Sequence, residues 1–237
     1  MKSVYLFDVD GTLTPPTKKM DEEFIYFFLE WSKDKHFFLV GGSPYNKIKR
    51  QVPFSVFDRC GGVFSSMANE LHIDDKLVYS HDWKPSTNLL SKLLEWRMKS
   101  PYSQKNKTYL ESRVGMLNFS IAGRDSNDVQ RKQYFNWDKL HGEREKISNE
   151  LSEDFPHLDI RLGGMISLDI QPKGRNKSQS VKWIRSLNKY DNLSYFGDKG
   201  FKGGNDYDVK LAFDGRKGEK FYDVKDCDDT KKILLSL

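Results

Sequence analysis

The chain has 237 residues, 37% hydrophobic and 14% aromatic, enough to bury one large core or two modest ones and too apolar for a disordered polymer. Its 39 basic and 34 acidic side chains leave a formal charge of +5 with both signs interspersed, which suits anionic ligands but shows no basic arm or aromatic-basic RNA-binding signature. Cys60 and Cys227 are the only cysteines, without metal or disulfide spacing, and no run approaches the ~20 apolar residues of a membrane helix; the expectation is a cytoplasmic protein that engages neither nucleic acid nor membrane.

The first apolar run, Val4-Tyr5-Leu6-Phe7, predicts a short strand ending on Asp-Val-Asp-Gly-Thr. MDEEFIYFFLEWSKDK follows as a helix, acidic in its first turn, with Phe24, Phe27, Phe28 and Trp31 on one stripe. Phe37-Phe38-Leu39-Val40 is a second strand and ends on Gly41-Gly42-Ser43; much later, Leu193-Ser194-Tyr195-Phe196 ends the same way on Gly197-Asp198. Short, continuously apolar strands mark a parallel sheet covered on both faces. Ligands of such sheets bind beyond the carboxyl ends of the strands, so the three polar clusters are expected to meet in one pocket.

The middle of the chain has another texture. TYLESR and MLNFSIAGR alternate, with Leu117, Phe119 and Ile121 on one face and Asn118, Ser120 and, if the strand continues, Arg124 on the other. Val114-Gly115 is the hairpin turn between them and Arg113 lies beside it. EREKISNELSEDF reads as a helix with Ile147, Leu151 and Phe155 at helical spacing. GGMISLDI puts Ile166, Leu168 and Ile170 on one face and Ser167 and Asp169 on the other. Residues 82–172 are therefore expected to form an antiparallel α+β module inserted into a parallel-sheet domain built from 1–81 and 173–237, with turn-rich hinges at 80–88 and 171–179.

Asp8 and Asp10 form a carboxylate pair that is hard to keep ionised unless a divalent cation, Mg²⁺ above all, neutralises it. A carboxylate can attack a phosphoryl group to give an aspartyl phosphate, and a second acid two residues on can carry the proton of the leaving or entering hydroxyl.

Asp-Val-Asp-Gly-Thr after an apolar strand resembles the nucleophile motif of the haloacid dehalogenase-like superfamily. The resemblance implies a Rossmann-like α/β core with Asp8 as nucleophile and Asp10 as general acid/base. It further implies Ser43 of VGGS holding the phosphoryl group, Lys177 balancing its charge, and Asp198 and Asp206 joining Asp8 and Asp10 at the metal. ESRVGMLNFSIAGRD, GGMISLDI and FGDKGFKGGNDYD are similar to the cap and core of eukaryotic-type phosphomannomutases, over nearly the whole chain and least between 65 and 107. That likeness implies Arg113, Arg124 and Arg131 on a distal phosphate and Ser167 and Asp169 on sugar hydroxyls, with Asn118 sharing their strand face. The family's arginine after the nucleophile motif is absent here, and Lys18 offers a point charge instead; Pro44 stands where the family has an aspartate.

The reaction implied is interconversion of mannose 6-phosphate and mannose 1-phosphate through phospho-Asp8 and a sugar 1,6-bisphosphate, which also activates the enzyme, supplying GDP-mannose synthesis. A closing cap would keep water from the aspartyl phosphate. The resemblance also suggests a homodimer through the cap, for which Trp137 and Leu140 are candidates. The alternatives are a sugar-phosphate phosphatase of the same superfamily, phosphoglucomutase activity and, from another class, a non-catalytic polyanion-binding protein.

Overall fold

Leu6, Phe7 and Asp8 are all buried in the computed structural model, which describes residues 1–213 and 215–237. An apolar run can be buried this completely only if both faces of its sheet are covered. The chain groups into two units, Met1–His81 with Arg175–Leu237, and Asp82–Gly174. In chain order the first unit begins with β1 (Ser3–Asp8), α1 (Glu22–Trp31), β2 (His36–Val40), α2 (Tyr45–Gln51), α3 (Phe54–Phe57), β3 (Val63–Ser65), β4 (Glu70–Ile73) and β5 (Lys76–Ser80). The second holds α4 (Thr87–Lys99), β6 (Leu110–Arg113), β7 (Met116–Phe119), α5 (Asp128–His141), α6 (Glu143–Asp154), β8 (Leu158–Gly163) and β9 (Ser167–Pro172). The chain then returns to the first through α7 (Ser178–Ser186), β10 (Asn192–Gly197), α8 (Tyr207–Phe213), β11 (Glu219–Asp223) and α9 (Cys227–Leu234).

The sheet of the first unit runs β11-β10-β1-β2-β3-β4-β5, its first five strands parallel and its last two antiparallel. Register decides where the chemistry falls: Phe7 lies opposite Phe196, and Asp8 opposite Val40. The residues that follow these three strands therefore emerge side by side. Val4 and Leu6 pack with Phe38, Tyr195, Val181 of α7 and Val209 of α8. Phe7, on the opposite face, packs with Phe28, Phe37, Phe196 and Leu234 of α9. Each such fully buried side chain contributes about 1.5–3 kcal/mol over its exposed state.

Helix α1 starts where Asp21 accepts the N–H groups of Glu23 and Phe24, and it ends at Trp31, short of the expected Lys35. Phe24 and Phe28 are buried; Phe27 and Trp31 are half-buried at the edge of the stripe. The hairpin β4–β5 has no counterpart in the sequence reading. Its turn is the pair Asp74 (φ 49°) and Asp75 (φ 60°), the left-handed conformations a two-residue hairpin demands.

In the second unit the antiparallel sheet runs β6-β7-β9-β8. One face carries Leu117, Phe119, Ile160, Leu168 and Ile170 onto Leu89 and Leu93 of α4, Tyr134 of α5, and Ile147 and Leu151 of α6. Across the other face, register aligns Glu111, Asn118, Asp169 and Arg161 in one polar row. One expectation is corrected. Strand β7 stops at Phe119 rather than continuing to Arg124, because Ser120 Oγ bonds the Ile166 carbonyl and Gly123 turns the chain. The second unit ends at Gly174, within the turn-rich stretch 171–179, and the Lys173 N–H is tied to the His157 carbonyl at 3.0 Å.

Candidate active site

The loop after β1 closes on Val9, whose carbonyl accepts the N–H groups of Leu13 (3.0 Å) and Thr14 (2.9 Å), while the Gly11 N–H bonds Thr14. Gly11 has φ +90°, and a Cβ there would collide with the Asp198 carboxylate. Glycine is thus required twice, once by the turn and once by the acid brought beside it from the end of β10.

Lys177, fully buried at the start of α7, joins two of the acids. Its Nζ lies 2.7 Å from Asp8 Oδ1 and 2.9 Å from Asp206 Oδ1. Asp206, also fully buried, accepts the Tyr195 hydroxyl at 2.8 Å and the Lys199 N–H at 3.2 Å. Asp8 Oδ1 takes the Val9 N–H as well, at 2.8 Å, so that Oδ2 is the oxygen left outside these bonds. Carboxylate oxygens of Asp8, Asp198 and Asp206 come within 4.8 Å of one another.

Asp8 is pushed up to about 8, by burial first and by Asp206 and Asp198, against the downward pull of Lys177. Burial also works against the Lys177 ammonium, yet Asp206 and Asp8 outweigh it and hold Lys177 above its ordinary value. Lys177 therefore stays charged between Asp8 and Asp206, while Asp198 has its own ammonium, Lys199 Nζ, at 2.9 Å. Three carboxylates crowded together, one of them raised by the other two, form an all-oxygen set that fits a hard divalent cation such as Mg²⁺. Asp8, Asp198 and Asp206 would hold it.

Asp10, expected among the metal acids, is not in this cluster. Its Oδ1 accepts the Thr17 N–H at 2.6 Å and Gln51 Nε2 at 2.7 Å, and its Oδ2 lies 3.5 Å from Ser43 Oγ. These donors fix the carboxylate, and Lys199, the partner of Asp198, acts on it as well. Burial alone would raise its pKa; the bonds from Thr17 and Gln51 outweigh burial and hold Asp10 below the usual carboxylate value. Lys18 is exposed, and its carbonyl is linked inward by Gln51 Nε2 at 3.3 Å.

Gln51, Tyr195 and the Thr17 N–H escaped the sequence reading. Tyr195 was legible in principle, since a tyrosine inside an otherwise apolar strand next to Gly-Asp needs a partner for its hydroxyl.

On the polar face of the second unit, Arg113 Nε bonds Glu111 Oε1 at 2.8 Å and Arg124 Nε bonds Glu111 Oε2 at 2.7 Å. Asn118 donates to Ser167 Oγ at 3.2 Å and to Asp169. Burial raises Asp169, while Asn118, Arg113 and Arg124 draw it back. Arg113, Arg124, Asn118, Ser167 and Asp169 thus form one group. Arg131, near the start of α5, adjoins the group through backbone: its Nε and Nη2 donate to the Ser126 and Arg124 carbonyls, each at 2.8 Å. Trp137 packs against Tyr102 and Tyr134 within the unit, whereas Leu140 is 85% exposed.

Residues 24–237 match the model of the eukaryotic phosphomannomutase family. A phosphomannomutase of Glycine max is 33% identical over 242 residues, covering 99% of this chain and 95% of that one. One of Arabidopsis thaliana is 34% identical, with 87% and 86% covered. Among solved structures, the IMP-bound IMP-nucleotidase of Plasmodium falciparum aligns with a TM-score of 0.65 at 16% identity, over 99% of this chain and 68% of that one. The C-terminal domain of C. albicans trehalose-6-phosphate phosphatase gives 0.61 at 15% identity, over 98% and 90%. A sugar phosphatase of haloacid dehalogenase subclass IIB gives 0.59 at 16%, over 99% and 91%. At such identities the structural likeness shows the fold, that of the haloacid dehalogenase superfamily.

Proposed function

The chain belongs to the eukaryotic phosphomannomutase family, and from that premise we propose that it interconverts mannose 6-phosphate and mannose 1-phosphate by way of an aspartyl phosphate and a sugar 1,6-bisphosphate. It is an enzyme by family, and a hexose phosphate is its substrate. No helix among the described residues is long and apolar enough to cross a membrane; action in the cytoplasm, feeding GDP-mannose synthesis, is part of the proposal.

In the proposed cycle phospho-Asp8 passes its phosphoryl group to a hydroxyl of the hexose monophosphate while Asp10 takes the hydroxyl proton. The bisphosphate turns end for end, Asp8 attacks the phosphorus at the other end, and Asp10 returns the proton to the departing sugar oxygen. Lys177 holds Asp8 by Oδ1, so Oδ2 is the attacking oxygen. Asp10 is held by Thr17 and Gln51 on Oδ1, which leaves Oδ2, beside Ser43, to carry the proton. Mg²⁺, when bound by Asp8, Asp198 and Asp206, supplies positive charge against the phosphoryl group.

The observation that carries a mutase rather than a phosphatase is the pair Arg113 and Arg124 on the polar face of the inserted unit. A phosphatase has one phosphate to hold; a mutase must grip the second, and the planar guanidinium fork does so through charge-assisted bonds. Asn118, Ser167 and Asp169, on the same face, take the sugar hydroxyls. The exposed Leu140 supports a homodimer through this unit. The test is turnover of mannose 1-phosphate with and without a trace of mannose 1,6-bisphosphate: a mutase of this kind requires the trace, whereas a phosphatase ignores it.

A further inference from the structure

Resting on that reading, we propose that Glu111 is the positioning residue of the second-phosphate grip, a single carboxylate that yokes Arg113 and Arg124 and presents them together to the ligand. Glu111 and Arg113 stand two apart on β6 and so share a strand face; Arg124 arrives from the loop beyond β7. Each Glu111 oxygen takes one Nε–H, at 2.8 Å from Arg113 and 2.7 Å from Arg124. The side chains are 38%, 22% and 18% exposed for Glu111, Arg113 and Arg124, so the bridge is recessed but open to a ligand.

The use of Nε matters. A carboxylate that bound a guanidinium by its two terminal nitrogens would occupy the edge that grips phosphate. Glu111 bonds Arg113 through Nε alone, and the second bond of Arg124 runs from Nη1 to Ser167 Oγ at 3.5 Å. The Nη groups of Arg113 therefore take no part in the bridge, and the bridge restrains both forks before ligand arrives. Two guanidiniums held close would repel, and the carboxylate between them cancels that repulsion. The Arg113 and Arg124 bonds overcome the effect of burial and hold Glu111 to about 2, so it is ionised at every working pH. Ordering the two long side chains in advance removes an entropy cost that ligand binding would otherwise meet.

Two substitutions separate positioning from charge. Glu111→Asp keeps the charge but is one methylene too short to span both arginines; Glu111→Gln keeps the length but turns a donor toward one of them. Both are expected to raise KM for mannose 1-phosphate about tenfold with less than a threefold fall in kcat. In an Arg113→Met/Arg124→Met background, Glu111→Asp should add nothing, because Glu111 acts through those side chains. An unchanged KM in Glu111→Asp, or an equal further loss in the arginine-less background, overturns the inference while leaving a working mutase. A wild-type protein without bisphosphate-dependent mutase activity would instead remove the reading on which it rests.

Discussion

The Lys177 ammonium lies 2.7 Å from the Asp8 carboxylate, and neither side chain is more than 3% exposed. A buried pair like this is expensive to desolvate and is costly to break, because removing one partner strands the other's charge. With Asp206 on the same ammonium at 2.9 Å, Lys177→Met would leave two buried acids without their cation. Expected is a loss of about 3–5 kcal/mol of stability, read from the urea midpoint, together with loss of turnover. A variant as stable as the parent would mean that Lys177 does not hold this cluster together.

Thr17 is exposed and β-branched, yet has φ +63°, a region that costs an L-residue roughly 1–2 kcal/mol. The site uses its backbone N–H, which grips Asp10, and not its side chain. Thr17→Gly should therefore keep activity and gain about 1 kcal/mol in thermal or chemical denaturation. A destabilised Thr17→Gly would show that the threonine side chain does more than sit in solvent.

The cation should report itself without any reaction. If Asp8, Asp198 and Asp206 hold Mg²⁺, then Mg²⁺ at 100 times its Kd stabilises the folded protein by about 2.7 kcal/mol, and chelation reverses this. Asp198→Asn should blunt the rise in thermal midpoint. Asp10→Asn should leave it largely intact, since the Asp10 carboxylate is turned toward Thr17 and Gln51.

Glu111 gives a pH signature. Its pKa falls from an ordinary 4.5 to about 2 on folding, against burial, through the bonds from Arg113 and Arg124. A carboxyl depressed in the folded state adds stability that is complete above the unfolded value and is lost as pH falls toward the folded one. The stability difference between wild type and Glu111→Gln should shrink from pH 5 to about pH 2. A difference that stays constant across that window would mean that the bridge does not persist in solution.

The core of the site was legible because the reading needed only strands and their ends. Three apolar runs predicted three parallel strands, and register alone brings Asp8, Ser43 and Asp198 to one edge of the sheet. What stayed hidden depends on side-chain direction. The spacing puts Asp10 with the metal acids, but it does not show that a left-handed Thr17 and a glutamine forty-one residues away hold its carboxylate. The resemblance implies Arg131 beside Arg113 and Arg124, but no pattern in the sequence foretells that it meets Arg124 through that residue's carbonyl. The strand expected to deliver Arg124 ends early, at Phe119, and the arginine reaches Glu111 from a loop instead. Helix α4 has no counterpart in the sequence reading although Leu89 and Leu93 stand four apart and are buried; its start is set by Ser86 accepting the Leu89 N–H at 3.2 Å.

The central claim is that phosphate leaves Asp8 for a sugar hydroxyl and not for water. The direct measurement is to incubate the protein with mannose 1-phosphate, Mg²⁺ and a trace of mannose 1,6-bisphosphate, following mannose 6-phosphate and free phosphate together. Mannose 6-phosphate in large excess over free phosphate, absent in Asp8→Asn, is the predicted result. Free phosphate as the main product, or turnover that survives in Asp8→Asn, would contradict the account.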